Sequence, residues 1–553
     1  MNTNRRKFIK TTAITAGMIG IGAVTGLHYL HAQNVTPKDM YIKADNDEPV
    51  YAGWGIVKKL TALNKVDNSP LPVSWSSSDE AVAFVRNGYV TAVKEGAATI
   101  SAKTADGKVA TYTVTVSPTP RKKLSDGARK VRCEGAKLVV GPDKKPLFVN
   151  GTNTAWYGLW DGFGLSRWDA NAWDKHFAEL HEAGINMTRI WMICSGTEMQ
   201  YDELGYCIGM NSVFWDNADK LFEIAERHEV YIMATMCSHN CFLSRNARSS
   251  EWLKMRDDND YMDAYIGNFL IPFANRYGSN DYFASIDLMN EPHQAGNSKS
   301  PARIEWRKFF ARTIVALHKE FEKGVADGRF IDVIPITVGM DQANQVRGGQ
   351  NDYTSDANMA EQVPPADSKY ARIDLYQFHY YTCWHETGDA PFFGNPCVHT
   401  PVQFGFPDAA NRPAIMGEAP SKGTGYSGRD KRGAEWVQSA RFPDRSIVND
   451  YLDCLNNGWA GYMGWTSFTC DGFGTLTDQA PGTLYMVKHH PKLVFPVDTK
   501  ITVCQGLFDT LPVNTGNNPT LSPPENFAKY ALEDVSNGHL KGKNIRNGHI
   551  IHL

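Results

Sequence analysis

Between Leu147 and Trp465 the chain alternates short apolar runs with helical stripes, and this alternation limits the fold more than any other feature. The runs are Leu147-Phe148-Val149, Ile185 to Trp191, Val230 to Ala234, Ser285 to Asn290, Val333 to Val338, Leu375 to Phe378, Ala414 to Met416 and Ala460 to Trp465. Between them Trp173, Phe177 and Leu180 mark one helix that stops at Gly184. Ala218, Leu221, Phe222 and Ala225 mark a second, and Trp306, Phe310, Ile314, Leu317 and Phe321 a third. Eight such strands close a parallel barrel, so the spacing predicts an α/β fold, a (β/α)8 TIM barrel over residues 132–495.

Two runs end in the same way. Ser285-Ile286-Asp287-Leu288-Met289-Asn290-Glu291-Pro292 and Pro413-Ala414-Ile415-Met416-Gly417-Glu418-Ala419-Pro420 each carry an apolar strand into a glutamate and then a proline. Proline removes a backbone donor and forces the chain to turn. By strand count Glu291 ends strand four and Glu418 ends strand seven, both on the face where such barrels hold their catalytic groups. A buried carboxylate is costly without a partner or a task, and a pair of them suits the cleavage of a glycosidic bond.

The flanks read differently. From 33 to 117 the sequence is β-rich: Tyr112, Val114 and Val116 alternate with Thr111, Thr113 and Thr115, and Gly88, Gly96 and Gly107 fall at turn-like intervals, the pattern of a small sandwich. Residues 118–131, which include Pro118-Thr119-Pro120-Arg121-Lys122-Lys123, read as a stiff, charged linker. Asn4-Arg5-Arg6-Lys7-Phe8-Ile9-Lys10 and the weakly apolar run after it read as a twin-arginine-type export signal over residues 1–32, with a membrane anchor as the alternative. The protein is therefore expected to be exported. Residues 496–553 form an extension without an assigned role. A net charge of −3, with mixed signs along the chain, leaves no footprint for nucleic acid. Of the ten cysteines, Cys383 and Cys397 could close a loop, and Cys237-Ser238-His239-Asn240-Cys241 carries only half of a zinc motif, so no metal site is expected.

The wording of several segments adds to these patterns. Val73-Ser74-Trp75-Ser76-Ser77-Ser78-Asp79, Gly88 to Val93, Gly96 to Ile100 and the closing Thr-Val-Thr-Val resemble the bacterial immunoglobulin-like group-two domain, which implies an immunoglobulin-like sandwich used as a spacer or adhesion element. The barrel resembles glycoside hydrolase family five, the cellulase-like family of clan A. The resemblance rests on Arg189 in Asn-Met-Thr-Arg-Ile-Trp, Asn290-Glu291-Pro292, His379-Tyr380-Tyr381, Glu418 and Trp465. It implies that Glu291 is the acid/base and Glu418 the nucleophile. Arg189 would support the nucleophile, Asn290 would bind the sugar 2-hydroxyl, His379 and Tyr381 would line the site, and Trp465 would stack under the reacting sugar. Trp156, Trp160, Trp191 and Trp384 are candidates for outer subsites or for packing.

Cellulase members usually place a histidine directly at the end of strand three, where this chain reads Ala234-Thr235-Met236-Cys237-Ser238-His239, so His239 comes late. Mannan-cleaving branches often lack that histidine, and Pro146 to Thr154 resembles mannanase openings. The expectation is therefore a retaining endo-β-1,4-mannanase acting on a polysaccharide or oligosaccharide without a cofactor. Retention requires carboxyl groups about 5–5.5 Å apart. The alternatives are an endo-β-1,4-glucanase, an exo-acting β-glycosidase of the same clan, or a glycan-binding adhesion protein with an inactive barrel.

Overall fold

The computed structural model describes residues 40–155, 157, 162–164, 168–295, 303–341, 352–381, 396–424, 428–429, 435–436, 446–468 and 473–494. The export signal and the C-terminal extension lie outside the described residues.

The chain divides into two compact units between Thr119 and Pro120. In the first, two four-stranded sheets share a core of Leu60, Val90, Ile100, Val114 and Val116. The strand Val109–Ser117 buries Val114 and Val116 and exposes Thr111, Thr113 and Thr115, so a period of two sets which face is apolar.

The second unit is a closed barrel of eight parallel strands. In chain order they are Val149–Asn153, Met187–Trp191, Tyr231–Thr235, Phe283–Asn290, Ile336–Met340, Tyr376–His379, Ala414–Pro420 and Gly461–Trp465, hereafter barrel strands one to eight. Strand one pairs with strand two and with strand eight, which closes the ring. Every residue of these strands is buried, because helices cover the outside and side chains fill the inside. The helix Ala170–Glu182 buries Trp173, Phe177 and Leu180, is capped by Asp169, whose side chain accepts from the Asn171 and Ala172 N–H groups, and ends at Gly184 with φ 76°. Ser212–His228 and Arg303–Ala326 likewise bury the stripes predicted for them.

Two elements are placed differently from the sequence reading. Lys145–Leu147 pairs antiparallel with Lys137–Val140 in a small three-stranded sheet, and barrel strand one is Val149–Asn153. Its polar residues hid it; inside the barrel they are paired, with Thr152 Oγ1 donating to the Gly464 carbonyl at 3.3 Å and Asn153 Nδ2 to that of Gly417 at 2.9 Å. Residues 122–130, read as linker, belong to the barrel unit: Lys122 Nζ donates to the Arg276 carbonyl at 2.9 Å, and the buried Lys130 Nζ reaches the Gly278 and Asn280 carbonyls at 3.2 Å.

Candidate active site

Strand four delivers the first carboxylate through an unusual backbone. Asp287 and Asn290 project from it, and Glu291 follows with φ 48°, a left-handed conformation that costs a non-glycine residue on the order of 1–3 kcal/mol. Neighbouring strands fix it there. The Glu291 N–H donates to the Gly339 carbonyl at 2.8 Å, and that of Asn290 to the Cys237 carbonyl at 2.9 Å. Pro292 then opens a short helix.

Arg189, on strand two, organises the mouth. It is fully buried, and its charge is met by two carboxylates: Nη2 lies 2.6 Å from Asp287 Oδ2 and Nη1 lies 2.5 Å from Glu418 Oε1. Nε also donates to Asp287 Oδ2 at 2.7 Å, Nη1 to Asn153 Oδ1 at 3.2 Å and Nη2 to Asn290 Oδ1 at 2.8 Å. Its guanidinium carbon stands 4.2 Å from the centre of the Trp191 ring. A buried cation stays in place only when most of its donors are used, and here they are.

Glu418, on strand seven, receives Arg189 on Oε1 and the Tyr381 hydroxyl on Oε2 at 2.8 Å. A carboxylate oxygen of Glu291, a ring nitrogen of His379 and a carboxylate oxygen of Glu418 all lie within 4.8 Å of one another. Burial, reinforced by the Glu291 carboxylate, raises the Glu418 carboxyl to about 7, while Arg189 and the Tyr381 hydrogen bond pull the other way. The Arg189 cation and the Tyr381 hydroxyl both act on Glu418 and oppose the effect of burial there.

His379 Nδ1 is 3.0 Å from Glu291 Oε1 and 3.5 Å from Glu418 Oε1. Burial, with Arg189 nearby, lowers the imidazole to about 4, so it is neutral at pH 7, with Nδ1 in hydrogen-bond contact with Glu291 Oε1.

The barrel thus brings Glu291, Glu418, Arg189, Asn290, His379 and Tyr381 into one cluster. Trp465 ends strand eight, buried, with its ring edge-on to Trp191 at 5.5 Å. Trp156, Trp160 and Trp384 lie outside the described residues, as does Cys383. His239 needs more weight than its late position suggested: the short helical turn His239–Phe242 carries its Nδ1 to 3.9 Å from Glu291 Oε2 and 3.5 Å from Asn290 Nδ2. Sequence reasoning missed Asp287 and Asn153. Asp287 had a signal, an acidic residue inside an apolar strand three positions before Asn290.

Among the described residues, the group able to offer three ligand atoms to a metal ion is Glu291, His379 and Glu418. Arg189 already fills the cationic position against Glu418. The Cys237 and Cys241 thiols donate to the Leu288 and Cys194 carbonyls, both at 3.3 Å, and burial pushes the Cys237 thiol up, away from the thiolate that zinc needs.

The cellulase family, glycosyl hydrolase family 5, matches residues 142–466, a span that contains both glutamates and all eight barrel strands. The chain belongs to glycosyl hydrolase family 5. Its fold is similar to that of the β-mannanase from the blue mussel Mytilus edulis (TM-score 0.51, 16% identity, 66% of this chain and 99% of that one). The endo-1,4-β-mannanase from Eisenia fetida is also similar (TM-score 0.52, 17% identity, 67% and 99%), as is the β-1,4-mannanase from the sea hare Aplysia kurodai (TM-score 0.52, 17% identity, 66% and 99%). A stretch of 64 residues is 45% identical to part of a lacto-N-biosidase from Bifidobacterium bifidum; it spans 11% of this chain and only 6% of that protein. No helix among the described residues is long and apolar enough to cross a membrane.

Proposed function

We propose that this glycoside hydrolase is a retaining endo-β-1,4-mannanase with Glu418 as nucleophile and Glu291 as acid/base. The observation that carries the reading is the close, unequal carboxylate pair. Oxygens of the two groups lie within 4.8 Å, near the separation of about 5–5.5 Å that retention needs and short of the roughly 6.5–9.5 Å of inversion. Arg189 and Tyr381 both act on Glu418, which favours its charged form, whereas Glu291 faces neutral imidazole.

In the first step a Glu418 oxygen bonds to the anomeric carbon as the glycosidic C–O bond breaks, and the Glu291 proton passes to the leaving oxygen. In the second, Glu291 takes a proton from water, whose oxygen attacks the same carbon and releases Glu418. Asn290 gives its carbonyl oxygen to Arg189, and its amide N–H₂, which faces His239 Nδ1 at 3.5 Å with one hydrogen, keeps the second to meet the sugar 2-hydroxyl. Trp465 supplies an apolar face beneath the reacting sugar.

The mannan preference is supported by the mannanase neighbours and by the wording of Pro146 to Thr154. The second reading is a β-1,4-glucanase, and His239 favours it, because the histidine expected of cellulases does reach the Asn290-Glu291 end. We further propose that the N-terminal sandwich is an immunoglobulin-like spacer and that residues 1–32 direct export.

The test is reducing-sugar release from β-mannan, glucomannan and carboxymethylcellulose by the wild type and Glu418→Ala. Release from the mannans that falls by about 10³-fold or more in the variant, with retained configuration by NMR, is the expected result. Release from cellulose alone would select the glucanase. No release from a folded wild type would remove the glycosidase reading.

A further inference from the structure

Strand seven carries one residue more than either neighbour just before Glu418. Phe378 faces Met416 and His379 faces Glu418, so one step along strand six matches two along strand seven, and Gly417 is left without a partner there. On the other side Met416 faces Tyr462 and Ala419 faces Gly464, three steps against two. A β-bulge of this kind interrupts the alternation of side chains and re-aims the residue beside it.

Its effect can be followed residue by residue. Gln377 and His379 are two apart on strand six and share the inner face of the barrel. A Cβ on Gly417 would point at Gln377, 2.7 Å from its Cδ and closer still to Cγ and Oε1, so position 417 also faces inward. Glu418 faces inward too, since its carboxylate meets Arg189 and the Tyr381 hydroxyl. A regular strand cannot put consecutive residues on one face; without the extra residue Glu418 would point outward, toward the helices. Strand four uses the same device. Asp287 faces Thr337 and Asn290 faces Gly339, three steps against two, and both Asp287 and Asn290 reach Arg189, although residues three apart on a regular strand face opposite ways.

Two groups brace the strand-seven bulge. Asn153 Nδ2 donates to the Gly417 carbonyl at 2.9 Å, and the fully buried Gln377 side chain occupies the place that a side chain at 417 would take. Neither amide atom of Gln377 has a hydrogen-bond partner among the described residues, so it acts on the bulge through its volume.

We propose that Gln377 is a positioning residue for the reaction: wedged against Gly417, it holds the strand-seven bulge and so aims the Glu418 carboxylate at the anomeric carbon. The inference rests on the glycosidase reading above. A shorter side chain at 377 lets the bulge relax toward regular strand, and a side chain at 417 pushes it the other way. Either change swings Glu418 from Arg189 and from the Tyr381 hydroxyl, and neither alters a group proposed to bind the sugar.

The test is a double-substitution cycle in the full chain, with Gln377→Ala, Gly417→Ala and the two combined, and with Gln377→Met as the conservative variant, read as kcat and KM on glucomannan. Gln377→Ala is expected to lower kcat by about tenfold and Gly417→Ala by about 10- to 100-fold, with KM changing less in both. The combined variant, whose new methyl group fills part of the space the amide vacates, should be about tenfold faster than Gly417→Ala. Gln377→Met keeps the length of the side chain and should recover most of the loss in Gln377→Ala. The acidic limb of kcat/KM should move to higher pH in Gln377→Ala, because Glu418 leaves its donors, whereas a residue that only supported the fold would leave the limb in place. Losses that multiply in the combined variant, or an unmoved limb in Gln377→Ala, overturn the inference while the glycosidase reading stands. If Gly417→Ala does not fold, the two Gln377 variants decide, and equal kcat values in them overturn it. If the wild type cleaves neither glucomannan nor carboxymethylcellulose, the glycosidase reading fails, and this inference with it.

Discussion

Gly339 sits where three parts of the candidate site meet, and replacing it with alanine tests whether the Arg189 geometry matters for turnover. A Cβ at this position would fall 2.7 Å from Arg189 Nη2, 2.9 Å from His379 Cε1 and 3.0 Å from His379 Nε2. Strand five cannot retreat to make room. The Gly339 N–H donates to Asp287 Oδ1 at 2.9 Å, and its carbonyl accepts from the Glu291 N–H at 2.8 Å. Ordinary contact begins near 3.4 Å, so Arg189 would have to move by about 0.7 Å, the difference between 3.4 and 2.7 Å. That movement pulls Nη2 from Asn290 and tilts Nη1 away from Glu418. Overpacking of this kind costs roughly 1–3 kcal/mol, and a misplacement approaching 1 Å can reduce turnover by about 10²-fold. Gly339→Ala is therefore expected to lower the thermal midpoint by several degrees and kcat by about 10- to 100-fold, with KM changing less. Calorimetry and steady-state rates on glucomannan measure both. An alanine variant with wild-type kcat and midpoint would refute the view that Arg189 and His379 are held at fixed distances for catalysis.

Two other outcomes follow from the same geometry. Burial raises the Glu418 carboxyl from 4.5 to about 7, so the folded state holds the proton more tightly than the unfolded chain and loses stability as pH rises through that window. Glu418→Gln cannot ionise, so its thermal midpoint should gain on the wild type between pH 4.5 and 7; a pH-independent difference would contradict the shift. Tyr381→Phe removes the 2.8 Å hydrogen bond to Glu418 Oε2, one of the influences that lower the Glu418 carboxyl. Its kcat/KM should fall by about 10- to 100-fold and its acidic limb should move to higher pH, and an unmoved limb would show that the hydroxyl does not stabilise the charged form of Glu418, the proposed nucleophile.

Much of this protein was legible before any coordinates. The alternation of apolar runs with helical stripes predicts the closed barrel, because strand and helix periods are local properties of the chain. Glu291 and Glu418 were found by the same means, each at the end of a strand and before or near a proline. Strand one was misplaced because its residues are polar, and polar residues read as loop unless their partners across the barrel are known. Asp287 and Asn153 escaped for a related reason, since each acts through Arg189, a residue distant from both in sequence.

The order of strands and the two carboxylates were therefore written in local sequence patterns. Closure of the ring alone decided that those carboxylates approach within 4.8 Å, that Arg189 is shared between Asp287 and Glu418, and that the late His239 still reaches Glu291. The physical reason is that periodicity fixes which face of a strand is buried, whereas the distance between strand ends depends on how all eight strands pack at once.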